Sequence, residues 1–107
     1  MSRTIVETAE IKLREGVTEA EFIEASKTFQ REFLSGKKGF LRRELLKLDE
    51  RNYVDLVHWE SRAAADEVMN LVGESNACRA FFSYMEMDEA NPSDGVNHYE
   101  SLAVYAP

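Results

Sequence analysis

The chain has 107 residues and a mass of 12.3 kDa, enough for one compact domain over 1–107 and too little for two. Hydrophobic residues make up 44% and aromatics 10%, with five glycines and two prolines, which excludes collagenous, low-complexity and largely disordered chains. Thirteen basic against twenty acidic residues leave a net charge of −7, so nucleic acid and anionic membrane are poor partners. No apolar run approaches the ~20 residues that span a bilayer, and the start, Met1 to Ile5, has no signal-peptide core. The lone cysteine, Cys78, has no partner for an internal disulfide. A reduced, cytoplasmic setting is expected.

Arg3 to Leu13 alternates, with Ile5, Glu7, Ala9, Ile11 and Leu13 on one face and Val6, Thr8, Glu10 and Lys12 on the other. β-branched Thr4, Ile5, Val6 and Thr8 favour a strand, which Gly16 ends. Thr18-Glu19-Ala20-Glu21 is a capping box: the Thr18 hydroxyl accepts from the Glu21 amide and the Glu21 carboxylate reaches back. Val17 and Phe22 are spaced as a hydrophobic staple, and the acidic first turn suits the positive end of the helix dipole. Phe22, Ala25 or Ser26, Phe29 and Phe33 then recur at helical spacing, an aromatic stripe that must lie on something flat. Ser35-Gly36-Lys37-Lys38-Gly39 closes the helix with a glycine cap and terminal lysines.

Phe40 to Leu48 and Tyr53 to Glu60 flank the polar Asp49-Glu50-Arg51-Asn52 and read as an antiparallel hairpin. Alternation sets Phe40, Leu46 and Leu48 against Leu41 and Leu45, and Tyr53, Val57 and Trp59 against Val54 and Leu56. Both faces are therefore apolar, and both are expected to be covered. Arg42 and Glu44 are placed to neutralise each other. Ser61 caps a helix over Arg62 to Val72, Gly73 interrupts it, and Ser75 or Asn76 caps a second stretch, Ala77 to Met87. Asp88 to Gly95 is a polar loop with two turn signals. In Val96 to Tyr105, Val96, His98, Glu100, Leu102 and Val104 alternate with Tyr99, Ala103 and Tyr105.

The order βαββαβ is the split βαβ, ferredoxin-like arrangement, an α+β fold. It predicts a four-stranded antiparallel sheet, first and third strands central, with two helices on one face. The other face carries Val54, Leu56, Leu41 and Leu45, which predicts a homodimer packed sheet to sheet.

Gly39-Phe40-Leu41 opening the second strand, Val57-His58-Trp59-Glu60-Ser61 closing the third, and an alanine-rich helix straight after resemble the antibiotic biosynthesis monooxygenase family of the dimeric α+β barrel superfamily. The resemblance covers roughly residues 3 to 105. It implies a ligand pocket between the helices and the sheet. Members include cofactor-independent monooxygenases of aromatic polyketides, quinol oxygenases and haem-degrading enzymes, so the fold alone selects none of these activities. It also implies that Trp59 lines the pocket. The cofactor-free oxygenases use a helix arginine to stabilise substrate oxyanion charge, a role that falls to Arg79. Asp55 stands where that pattern has an asparagine, and Ala65 offers no phenol. Haem-degrading members use an asparagine on the first strand and a histidine on the second helix. Thr8, Ala9 and Glu10, and a stretch from Ser61 to Met87 without histidine, disfavour haem here.

Each candidate residue has a structural role beside the functional one. Trp59 offers a stacking surface and one N–H donor, or it fills core against Phe29. Arg79 enters the pocket mouth or forms a solvated salt bridge. Glu7 interrupts an apolar face, so it marks a strand end, the default, or lines a cavity with a raised pKa. His98, near Glu100, suits a general base or a surface position. Alternation sends His58 to the face opposite Trp59, towards the dimer interior. The two histidines lack metal-ligand spacing and no dinucleotide glycine motif occurs, so neither metal nor cofactor is expected. Cys78, Met69, Met85 and Met87 read as core fillers. Phe81, Phe82 and Tyr84 are too dense for one helix face, so part of the group should meet the pocket or the partner subunit.

These readings converge on a cofactor-independent, monooxygenase-like dimer acting on a small aromatic or quinol-type molecule. Trp59 and Arg79 are the catalytic candidates, and Glu7, Asp55, Phe29 and His98 the pocket candidates. The alternative is a non-catalytic dimeric barrel that binds a small ligand or serves in stress. No nucleophile–base pair in the sequence forces catalysis.

Overall fold

The computed structural model describes residues 3–87 and 94–107. The chain runs β1 (Ile5–Lys12), α1 (Glu19–Phe29), β2 (Phe40–Lys47), β3 (Asn52–Trp59), α2 (Arg62–Leu71), α3 (Asn76–Phe82) and β4 (Val96–Glu100). Most of the loop expected over Asp88 to Gly95, residues 88–93, lies outside the described residues. The four strands form one antiparallel sheet in the order β2-β3-β1-β4, the ferredoxin-like topology, with β1 and β3 central. Register sets Ile5 opposite Trp59 and Glu7 opposite Val57 on one side, and Glu7 opposite His98 on the other. Among the described residues no helix is long and apolar enough to cross a membrane.

β3 shows how the sheet is sided. Tyr53, Asp55, Val57 and Trp59 are buried, while Asn52, Val54, Leu56 and His58 are half-buried. The period of two sends the first set under the helices and leaves the second on the open face. α1 begins where expected: Glu21 N–H donates to the Thr18 hydroxyl at 3.1 Å, and Thr18 N–H to the Glu21 carboxylate at 3.1 Å. Its aromatic stripe buries Phe22 and Phe29. A π turn over Gln30–Leu34 follows, with Ser35 N–H donating to Gln30 C=O at 2.9 Å, and it buries both Phe33 and Leu34. Ser61 and Ser75 cap α2 and α3 by accepting from Ala64 and Cys78 N–H. Gly39 has a φ of 86°, and a Cβ there would meet the Ala64 Cβ at 2.5 Å. Only glycine permits this close entry of β2 against α2.

Three boundaries differ from the sequence pattern. β2 carries an irregularity between Phe40 and Arg42, so Phe40 opposes Trp59 while Arg43 opposes Val57 and Leu45 opposes Asp55. The extra residue inverts the parity of the strand. Phe40, Arg43 and Leu45 share the helix side, and Arg42, Glu44 and Leu46 the open side, so Phe40 and Leu46 do not share a face as simple alternation requires. α3 stops at Phe82 rather than Met87, because Met85 bridges to Leu13 as the chain turns back to the sheet. β4 stops at Glu100 rather than Tyr105. Glu100 opposes Ile5, the first residue of β1, and beyond it the Ser101 N–H to Thr4 C=O bond is the one backbone hydrogen bond to this sheet among the described residues. Leu102, Val104 and Tyr105 are left exposed.

Candidate functional site

A cavity of about 510 Å³ lies between the sheet and the helices. That is within the roughly 300–1,000 Å³ typical of small-molecule sites. Its floor is the helix side of the central strands: Glu7, Ala9 and Ile11 of β1, and Asp55, Val57 and Trp59 of β3. Its roof is Phe29, Phe33, Val68, Phe81 and Phe82. The π turn swings Phe33 and Leu34 into this wall, the kind of local use such turns often have at binding sites. Phe29 and Phe81 stack with ring centroids 4.5 Å apart, and Phe29 and Phe33 at 5.5 Å. The dense aromatic group of α3 thus serves the pocket through Phe81 and Phe82. Met69 and Met87 are 38% and 40% exposed and also line the cavity, so of the three methionines named as core fillers only Met85 is buried. Cys78 is buried, and burial raises its thiol pKa, as befits an inert packing residue.

Trp59 is both of the things the sequence allowed. It is 2% exposed and packs edge-on to Phe40 with centroids 5.7 Å apart, yet its ring also forms cavity wall. Its buried Nε1 makes no hydrogen bond among the described residues. A buried indole N–H without an acceptor is costly unless something else brings one.

Glu7 lies in mid-strand and faces the cavity, which overturns the strand-end reading. Its Oε1 is 3.0 Å from His98 Nε2, its cross-strand neighbour, and both side chains are nearly buried. Burial raises the Glu7 pKa above its ordinary value, and the negative charge of Asp55 adds to the rise. The hydrogen bond and charge of His98 pull it down without cancelling that rise, as does the Trp59 N–H, which faces the carboxylate from outside hydrogen-bond geometry. His98 is therefore mostly buried against Glu7, with its remaining exposure in a surface depression.

Asp55 is held by a residue that sequence alternation misplaced. Arg43 Nε donates to Asp55 Oδ1 at 2.8 Å and Nη1 to Ser26 C=O at 3.3 Å, with both charged side chains under a tenth exposed. The guanidinium carbon lies 5.1 Å from the Phe29 ring centre and 5.4 Å from that of Phe81, cation–π distances to two cavity walls. Nη2 is buried with no partner among the described residues. One signal was available in the sequence: an aspartate on the buried face of β3 needs a countercharge from the adjacent strand. Only a β2 bulge brings an arginine to that face.

Arg79 takes a different place. It is exposed, donates to Gly73 C=O at 3.0 Å and to the Asn76 side chain, and does not line the cavity. The register of α3 turns Cys78 and Phe81 inward and Arg79 outward. His58 sits half-buried on the open face opposite Val6 and Arg42. Arg42 and Glu44 neutralise each other there at 3.3 Å, two residues apart along β2 rather than across strands. Among the described residues no group of three or more His, Cys, Asp and Glu side chains is placed to hold a metal ion.

The chain is thus a ferredoxin-like α+β domain with a cavity between sheet and helices whose size and aromatic walls are those of small-molecule sites. The profile of the antibiotic biosynthesis monooxygenase family matches residues 4–81, most of the chain, and the chain belongs to that family. No curated protein matches it in sequence. Among solved structures, it is similar to SnoaB, a cofactor-independent oxygenase from Streptomyces nogalater, at 16% identity over 98% of this chain and 97% of that one, with a TM-score of 0.69. A candidate antibiotic biosynthesis monooxygenase from Bordetella bronchiseptica gives 16% identity over 95% and 100%, with a TM-score of 0.72. Protein SO0527 from Shewanella oneidensis gives 24% over 94% and 93%, with a TM-score of 0.64. At such identities the likeness is one of fold.

Proposed function

We propose that this chain is a cofactor-independent oxygenase that holds a small, planar phenol or quinol in the cavity beside Trp59. One observation carries the reading: a buried indole N–H that makes no hydrogen bond among the described residues stands in the wall of a cavity that also holds four phenylalanines and the carboxylates of Glu7 and Asp55. A flat ring stacks on Phe29, Phe33 and Phe81, and an oxygen on that ring supplies the missing acceptor for Trp59. The buried Arg43 guanidinium, packed on Phe29 and Phe81, adds positive charge behind the cavity wall, the electrostatic part that the family resemblance gave to Arg79. An electron-rich phenolate reduces oxygen directly, so the protein's part is to bind, orient and deprotonate the ring.

The non-catalytic binding reading draws on the outward-facing Arg79. Oxygen uptake separates the two. Purified protein mixed with a panel of hydroquinones and polycyclic phenols should accelerate oxygen consumption with no added cofactor, and Trp59→Phe, which keeps the packing and loses the N–H, should reduce it. Saturable binding of the panel without oxygen uptake would leave the binder.

The open sheet face supports the homodimer. Val6, Val54 and Leu56 are half-buried, and Leu46 and Tyr99 are exposed on it, an apolar surface that a second copy would cover. Light scattering at micromolar concentration should give twice the chain mass.

A further inference from the structure

We propose that Glu7 and His98 form a proton relay through the wall of the cavity, carrying the phenolic proton of the bound ring to the protein surface. The proposal rests on the oxygenase reading above and adds to it the route by which the substrate is ionised.

Glu7 lines the internal cavity. His98 does not; it lines a separate surface depression, together with Arg3, Ile5, Tyr99 and Glu100 of the β1–β4 edge and Arg62 of α2. The two spaces have no lining residue in common. What joins them is the 3.0 Å contact between Glu7 Oε1 and His98 Nε2, made because the two residues are register partners on adjacent strands. A carboxylate on the inside, an imidazole behind it, and solvent behind the imidazole make a short proton wire.

The charges around the pair suit this role. Towards Glu7 face His98 from β4 and Asp55 from β3, the latter paired to Arg43 of β2, while α1 and α3 contribute uncharged Phe29 and Phe81 to the same cavity. Around His98 stand Arg62 of α2 and the Arg3–Glu100 pair at 3.7 Å. Burial raises the Glu7 pKa above its ordinary value, the direction that makes its carboxylate a stronger base.

The step balances without any redox partner. The phenolic O–H bond breaks and an O–H bond forms on the Glu7 carboxylate, leaving a phenolate in the cavity. Glu7 passes the proton to Nε2 of His98 in its Nδ1–H tautomer, the imidazolium so formed releases its Nδ1 proton to the depression, and proton exchange with solvent there restores the tautomer. One proton leaves the substrate, and no electrons move until oxygen arrives.

The test compares wild type, Glu7→Gln and His98→Ala with one hydroquinone, reading oxygen uptake and, separately, binding by Trp59 fluorescence. Glu7→Gln is isosteric and should bind within a few-fold of wild type while its rate falls about a hundredfold or more, the usual weight of a general base. His98→Ala should lose rate as well, and added imidazole, which can enter from the depression, should restore it. Rescue of His98→Ala decides the matter even if Glu7→Gln does not fold, since a merely structural histidine would not respond to imidazole. Wild-type rates in Glu7→Gln, or an unrescued His98→Ala, overturn the relay and leave the oxygenase reading intact. Binding with no oxygen uptake by wild type removes the oxygenase reading, and the relay with it.

Discussion

The two faces of the sheet are built from the same strands and differ in what their charges do. On the open face Arg42 and Glu44 pair in solvent, both more than half exposed. One residue along, Arg43 turns to the helix side and meets Asp55 with both side chains under a tenth exposed. The first pair contributes about 0–1 kcal/mol, as exposed pairs do. The second is held in low dielectric among phenylalanines, where losing one partner strands the other. The same division holds for the histidines: His58 lies half-buried on the open face, whereas His98 sits against a buried carboxylate. Charge placed under the helices is costly to desolvate, and on this face it borders a cavity.

Neighbouring substitutions sharpen that contrast. Arg43→Ala should destabilise the protein by about 3–5 kcal/mol, because Asp55 is left buried and unpaired. Arg42→Ala should change stability by less than about 0.5 kcal/mol. Urea melts of both variants check this, and equal losses would mean that the bulge does not invert the strand.

Leu56→Asp acts on the open face. Against a second copy an unpaired carboxylate costs several kcal/mol, so the dimer dissociation constant should rise about a hundredfold or more. Sedimentation over a concentration series reads it. A monomer in both wild type and variant would contradict the homodimer.

Thr18→Ala loosens the helical cover alone. One N-terminal amide of α1 loses its acceptor, at a cost of about 1 kcal/mol. The denaturation midpoint should fall while the dimer constant stays put.

The smallest effect is a slope. Because burial raises Glu7 above 4.5, the native state retains a proton that the unfolded chain has lost. That contribution is complete below 4.5 and disappears as pH climbs through the raised value. Glu7→Gln should therefore gain on wild type in stability across that window, and parallel stability curves would contradict it.

Much of the architecture was legible because it rests on short-range patterns. Thr18 and Glu21 specify the start of α1, Ser61 and Ser75 the later caps, and alternation in Tyr53 to Trp59 the sidedness of β3. Gly39 stands just before β2 for a steric reason, since a side chain there would strike Ala64. What escaped depends on register between strands. A single inserted residue after Phe40 moved Arg43 inside, and no periodicity within β2 announces it. Glu7 read as a strand end because its partner, His98, is 91 residues away in sequence. Arg79 was assigned from the resemblance, but the register of the short α3 turns it outward. The tail from Leu102 continues the alternation of β4 past Ile5, the last partner of β4 on β1 among the described residues.

The most direct measurement is a fluorescence titration of the lone tryptophan with a planar dihydroxyaromatic, run on wild type and on the cavity-filling variant Val68→Phe. Trp59 is cavity wall, so the account predicts saturable quenching at one ligand per chain in wild type and its loss in Val68→Phe with the fold retained. Unsaturable quenching in wild type, or equal quenching in both proteins, would contradict a ligand site between the sheet and the helices.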